Sequence, residues 1–175
     1  MLSGMSVSRL LFLVCIALAI VLPIRYWVVE PIYIATPSME PRLPVGGHVW
    51  MDKVTLRLRS PRKGEIIVFR SPVGDAHELV KRVIAVPGDT VELREKSLYL
   101  NDQPVYESYV KHTRKDEKLL GDDVGPLKGP EGALFVLGDN RDESKDCSVW
   151  AAPETGEPVR FLPTKNVRGL VRGFY

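Results

Sequence analysis

Cysteine is scarce in this chain: Cys15 and Cys147 are the only two. Cys15 lies inside an apolar run and Cys147 far downstream, so neither a disulfide framework nor a paired-cysteine metal motif is available. Histidine is almost as rare. His48, His77 and His112 have no ligand spacing and read as ordinary surface or strand residues, so no metal or cofactor is expected. An excess of one charge is lacking too: 24 basic residues against 22 acidic ones leave a net charge of +2, with no basic block to suggest nucleic acid. No internal repeat is visible, and no amphipathic helical pattern follows residue 30.

Only one long apolar run exists. Residues 10–22 are all apolar, yet as a helix they span only about 20 Å, short of a hydrocarbon core of roughly 30 Å. Extending the helix over 7–29 reaches about 34 Å, with Arg25 able to snorkel and Tyr26-Trp27 placed as an aromatic belt. This predicts a short tail at 1–6, one transmembrane helix at 7–29 and a globular domain at 30–175. A cleaved secretory signal is the competing reading, because Ala17-Leu18-Ala19 has the small-x-small form. That triplet lies within the apolar run, not after it. Orientation stays open here: Arg9 alone precedes the run, whereas Arg25, Arg42, Lys53, Arg57, Arg59, Arg62 and Lys63 follow it. Counted alone this puts the domain in the cytoplasm, but the rule weakens before a long folded domain.

Beyond residue 30, short runs rich in β-branched or aromatic residues occur at 32–35, 47–51, 65–69, 79–86, 90–93, 98–100, 134–137 and 167–174. Fourteen glycines and fourteen prolines punctuate them. The expected fold is mainly β, a curled antiparallel sheet or barrel behind one N-terminal transmembrane helix. Residues 106–131 are polar, are bounded by Gly-Pro pairs, and read as an inserted loop or flap outside the core.

Chemistry centres on Thr36-Pro37-Ser38-Met39-Glu40-Pro41. The two prolines fix φ and bias the residues before them away from helix, so Ser38 is expected on stiff, extended backbone, a good mount for a nucleophile. An ordinary loop serine fits the same residues. A serine nucleophile needs a base, and no histidine is suitably framed. A lysine serves only as the neutral amine, which demands desolvation. In a strand over 79–86, alternation sets Lys81 on one face with Leu79, Val83 and Ala85, while Arg82 points the other way. A packed lysine stem with its ammonium in water is the alternative.

Four stretches in order carry a resemblance: Pro37-Ser38-Met39-Glu40-Pro41, Gly64-Glu65-Ile66-Ile67-Val68-Phe69, Lys81-Arg82-Val83-Ile84-Ala85-Val86-Pro87-Gly88-Asp89 and Gly138-Asp139-Asn140-Arg141-Asp142-Glu143-Ser144-Lys145-Asp146. Together they resemble the boxes of type I signal peptidases, membrane-anchored Ser/Lys proteases that remove signal peptides, and the likeness runs from residue 20 to the end. The resemblance implies Ser38 as nucleophile and Lys81 as general base. It implies that Ser144 hydrogen-bonds and orients Lys81, that Asp146 organises the surrounding turn, and that the Ser38 N–H and the Thr36 hydroxyl hold the oxyanion. Departures are also present: Thr36 stands where the family more often has Ser, and Arg42 and Ala85 replace the usual Thr and Gly. Asp146-Cys147-Ser148 replaces Asp-Ser-Arg, so a basic partner for Asp146 is missing. Cys147 reads as a small buried residue or a reactive thiol.

The implied partners are signal-peptide-bearing preproteins, cut after small residues at −1 and −3, and a lipid bilayer. The expected protein is a monomer with its domain on the outer face of the cell membrane. Alternatives are a specialised pilin or conjugation leader peptidase, a repressor-type self-cleaving Ser/Lys protease, disfavoured because no DNA-binding helices precede the domain, or an inactive membrane-tethered β module that binds peptides.

Overall fold

The apolar run forms α1, Val7–Trp27, whose 21 residues extend about 31 Å, enough to cross a bilayer core. The computed structural model describes residues 6–74 and 77–174; most of the expected 1–6 tail therefore lies outside the described residues, as does Tyr175. No side chain of α1 is buried, which suits a helix whose solvent is lipid. The helix ends two residues earlier than expected. Val28 caps it, its N–H bonding the Ile24 carbonyl at 2.8 Å, and Val29 already opens a strand. Two consecutive valines followed by Glu30-Pro31 account for the switch, since β-branching and a following proline both favour extended backbone.

Eleven strands follow among the described residues: β1 (Val29–Tyr33), β2 (His48–Asp52), β3 (Ile66–Arg70), β4 (Glu78–Ala85), β5 (Thr90–Arg94), β6 (Ser97–Leu100), β7 (Gln103–Pro104), β8 (Val124–Lys128), β9 (Ala133–Leu137), β10 (Leu162–Pro163) and β11 (Val167–Phe174). A one-turn helix, α2 (Thr55–Leu58), lies between β2 and β3. The strands form a curled seven-stranded sheet in the order β1-β2-β11-β3-β4-β9-β10 and a four-stranded sheet in the order β7-β6-β5-β8, with antiparallel neighbours throughout. The fold is mainly β, as the spacing of apolar runs predicts.

Alternation along the strands buries two clusters. The larger includes Ile67, Phe69, Val83, Phe135, Leu137 and Trp150, between the sheets; the smaller joins Ile34, Met39, Leu43 and Val49. The smaller one matters for chemistry, because Met39, 1% exposed, anchors the backbone next to Ser38.

Segment 106–131 departs from its reading as a loop outside the core. Its end forms β8, which pairs with β5, and Val124 is buried in the larger cluster. Tyr106 and Leu120 remain exposed. The strand was hidden because Gly125-Pro126 interrupts its apolar pattern, and Gly125 has φ +94, a conformation that favours glycine.

Candidate active site

Ser38 is not on extended chain. Pro37–Met39 forms a single 3-10 turn with Ser38 as its second residue, while Thr36 (φ −129, ψ 152) and Glu40 (φ −68, ψ 148) on either side are extended. The proline rule therefore acts one residue at a time. Each residue before a proline is extended, but Pro37 itself, with φ preset near the helical value, starts a turn well. This turn has chemical value, since the first N–H groups of a helical turn have no acceptor inside it and point outward as donors. Ser38 is buried, its carbonyl accepts from the Asn140 N–H at 3.1 Å, and its Oγ lies 3.1 Å from Thr36 Oγ1.

Lys81 comes from the middle of β4, opposite Ile67 of β3. Its strand neighbours Leu79 and Val83 pack in the larger cluster, so the apolar face expected for this lysine is where the side chain goes. Lys81 is 3% exposed, and its Nζ is 2.7 Å from Ser38 Oγ across 43 residues of sequence. The ammonium donates in this hydrogen bond when protonated; the neutral amine accepts the serine proton. Burial lowers the lysine from an ordinary 10.5 to about 8, against the opposing pull of the Asp146 and Asp139 carboxylates.

The third group of expected residues lies beside this pair, with one change. Ser144 Oγ does not bond Lys81; it donates to Asp146 Oδ2 at 2.5 Å. Asp146 also accepts from the Gly138 N–H at 2.8 Å and from the N–H and hydroxyl of Ser148 at 3.0 and 2.7 Å. Asp146 thus pins the 138–148 turn, and Ser148 fills the carboxylate oxygen that lacks a basic partner. Arg160 reaches the turn from elsewhere, donating to the carbonyls of Cys147, at 3.3 Å, and of Ser148. Cys147 is buried, and burial pushes its thiol pKa up, so it is a packing residue and not a reactive one. A side chain at Gly138 would come within about 2.5 Å of the Ser38 carbonyl and of Ser144, which explains a glycine where the turn meets the nucleophile.

Several supporting residues carry little signal in the sequence. Arg82 points away from Lys81, yet it is also buried, held by Asp139 through Nε at 2.8 Å and Nη2 at 2.5 Å. Tyr109 stacks on its guanidinium at 4.0 Å and donates to Glu107 at 2.6 Å, and Glu107 receives Arg141 at 2.6 and 2.7 Å. His112 is likewise more than a surface residue, 3.2 Å from buried Asp142. The available signal was weak: an arginine in an otherwise apolar strand, and an acid-rich turn far along the chain.

These features agree with what known proteins share with this chain. The family described as signal peptidase, peptidase S26, matches residues 7–175. A probable signal peptidase I-1 of Synechocystis sp. is 35% identical over 166 residues, covering 90% of this chain and 76% of the relative. Signal peptidase I P of Bacillus subtilis subsp. natto is 34% identical over 165 residues, 89% of this chain and 88% of the relative. A crystal structure of a signal peptidase I from Enterococcus faecalis superposes with a TM-score of 0.50 at 29% identity, covering 65% of this chain and 98% of that one. With a family match over nearly its whole length, the chain belongs to the signal peptidases of family S26 and is a serine peptidase of that kind.

Proposed function

We propose that this protein is a membrane-anchored endopeptidase that removes signal peptides from exported preproteins, with Ser38 as nucleophile and Lys81 as general base. The observation that carries the assignment is the 2.7 Å contact between a buried lysine amine and a serine hydroxyl. Ser38 Oγ attacks the scissile carbonyl as its proton passes to Lys81 Nζ, and the lysine then protonates the leaving amine. Water hydrolyses the acyl-serine ester with the same amine as base. The Ser38 N–H and the Thr36 hydroxyl receive the developing oxyanion. Thr36 Oγ1 bonds Ser38 Oγ at rest, so it already sits near the reacting centre. Ser144 acts through Asp146 to hold the turn behind the lysine.

A substrate strand has somewhere to pair. β9 pairs β4 only at Arg82, Val83 and Ala85, so Glu78 to Lys81 have no strand partner on that side among the described residues. β1 is the edge of its sheet. A preprotein segment adding there as a strand would present alternate side chains to the protein, consistent with small residues at −1 and −3. Ser38 follows the end of β1 closely, and even fully extended chain would keep it within about 36 Å of the end of α1 at Trp27. Because preproteins are cut after translocation, the proposal sets one catalytic β domain, from residue 30 onward, on the outer face of a single span. One chain carries every residue of the site, so a monomer suffices.

Incubating the purified protein with a labelled preprotein and sequencing the new amino terminus tests this directly. Ser38→Ala and Lys81→Ala should each lower turnover by about a thousandfold or more, with the double variant little worse than either. Near-normal cleavage by the Lys81 variant would reassign the base.

A further inference from the structure

We infer that the exit of α1 carries a binding site for the phosphate-bearing headgroup of an acidic phospholipid. The inference rests on α1 being a membrane span. A cavity of about 660 Å³ opens there, walled on the helix side by Leu22, Pro23, Arg25 and Trp27 and on the domain side by Lys53 and Arg168, with the Glu30 carboxylate also in its lining. A second hollow of about 510 Å³ shares Trp27, Lys53 and Arg168 and adds Arg57. Four cations therefore converge where the helix meets the domain.

They are only partly neutralised. Lys53 pairs with Glu30 at 2.5 Å and Arg168 with Glu78 at 3.3 Å. Arg25 and Arg57 are exposed, with no ion-pair partner among the described residues. Lys53 also donates to the Tyr26 carbonyl at 3.2 Å, which holds the helix exit over this surface. Two of the four cations thus remain available to a ligand.

The arrangement matches a lipid end to end. Apolar helix surface comes first, then a last turn that carries Arg25 together with the exposed rings of Tyr26 and Trp27, then Lys53, Arg57 and Arg168 of the domain, an order that suits acyl chain, interface and phosphate along a bilayer normal. Arginine suits phosphate because its fork donates two parallel hydrogen bonds. A zwitterionic headgroup would bring its own cation into a site already in positive excess, so an acidic lipid is favoured. The reading also accounts for Arg25, Lys53 and Arg57, three of the residues that count against an outward-facing domain. They gather at one place at headgroup level.

The test uses the full-length protein in detergent micelles, with lipid adducts read by native mass spectrometry. Phosphatidylglycerol should remain bound where phosphatidylcholine is lost, and Arg25→Gln and Arg57→Gln should each weaken the adduct about fivefold. Both variants should cleave a soluble preprotein peptide at the normal rate, which controls for folding. Equal retention of the two lipids, or adducts unchanged in both variants, overturns the proposal. Inorganic phosphate should not displace the lipid; if it does so readily, the site takes soluble anions and the lipid assignment fails. Alkaline carbonate washing of membranes separates the premise from the inference. A protein that washes off was never embedded, whereas one that stays but has no lipid preference refutes the headgroup site alone.

Discussion

At the scale of single residues, the Lys81 amine is pulled two ways. Burial favours the neutral form that the proposed reaction needs, while Asp146 and Asp139 draw the proton back, leaving the amine near 8. Turnover should therefore rise about tenfold per pH unit below 8 and level off above it. A flat profile between pH 6 and 9 would point to another base. The same shift bears on stability. Between the folded value of about 8 and the ordinary 10.5, the unfolded chain binds the extra proton, so this group's contribution to stability rises with pH across that window. Below the window the buried amine is a fixed cost, on the order of 3 kcal/mol. Lys81→Met should accordingly raise the urea midpoint at pH 7 while abolishing cleavage. Much of this residue was legible in sequence, because Leu79 and Val83 flank it with strand spacing. The Ser38 turn was not, since a proline constrains its predecessor and leaves its successor free. The Arg82–Asp139 pair was hidden for another reason: its partners lie 57 residues apart.

At the scale of elements, the polar stretch before β8 is a docked strap. The Lys111 N–H bonds the Asp139 carbonyl at 2.8 Å and its own carbonyl receives the Arg141 N–H at 3.0 Å, tying the strap to the turn beside Ser38. Asp142 is the hub, accepting from the Arg114 N–H at 2.6 Å and meeting Lys96 at 3.3 Å and His112 at 3.2 Å. Burial alone would raise this carboxyl, but those donors prevail and hold it at about 2, below the usual 3.8. Its stabilisation is complete above the ordinary value and is lost as pH falls toward 2. Asp142→Asn removes the charged acceptor of the Arg114 N–H and one of the two carboxylates beside Lys96, and should cost about 2 kcal/mol in urea unfolding at pH 7, with the cost shrinking in acid. A neutral substitution would mean the strap is held elsewhere. Eight strand regions were readable from alternation, with ends off by a residue or a few. The missed ones, β7, β8 and β10, are short or carry proline, and their extended form is supplied by the strands they pair with.

At the scale of the whole molecule, charge and chemistry give opposite orientations. Basic residues after α1 argue for the cytoplasm, whereas the proposed reaction requires the outer face. Protease added to sealed cells with a permeable outer layer should digest the β domain and leave α1 protected; a protected domain would reverse the topology. Here the junction at Val28 acquires a role. One residue separates the helix from β1, with no slack between them, so the domain rides on its anchor as a gauge on a post. The protein would in effect measure depth: a peptide bond is eligible when it emerges at the height of Ser38, and its distance from the lipid selects it before its side chains are tested.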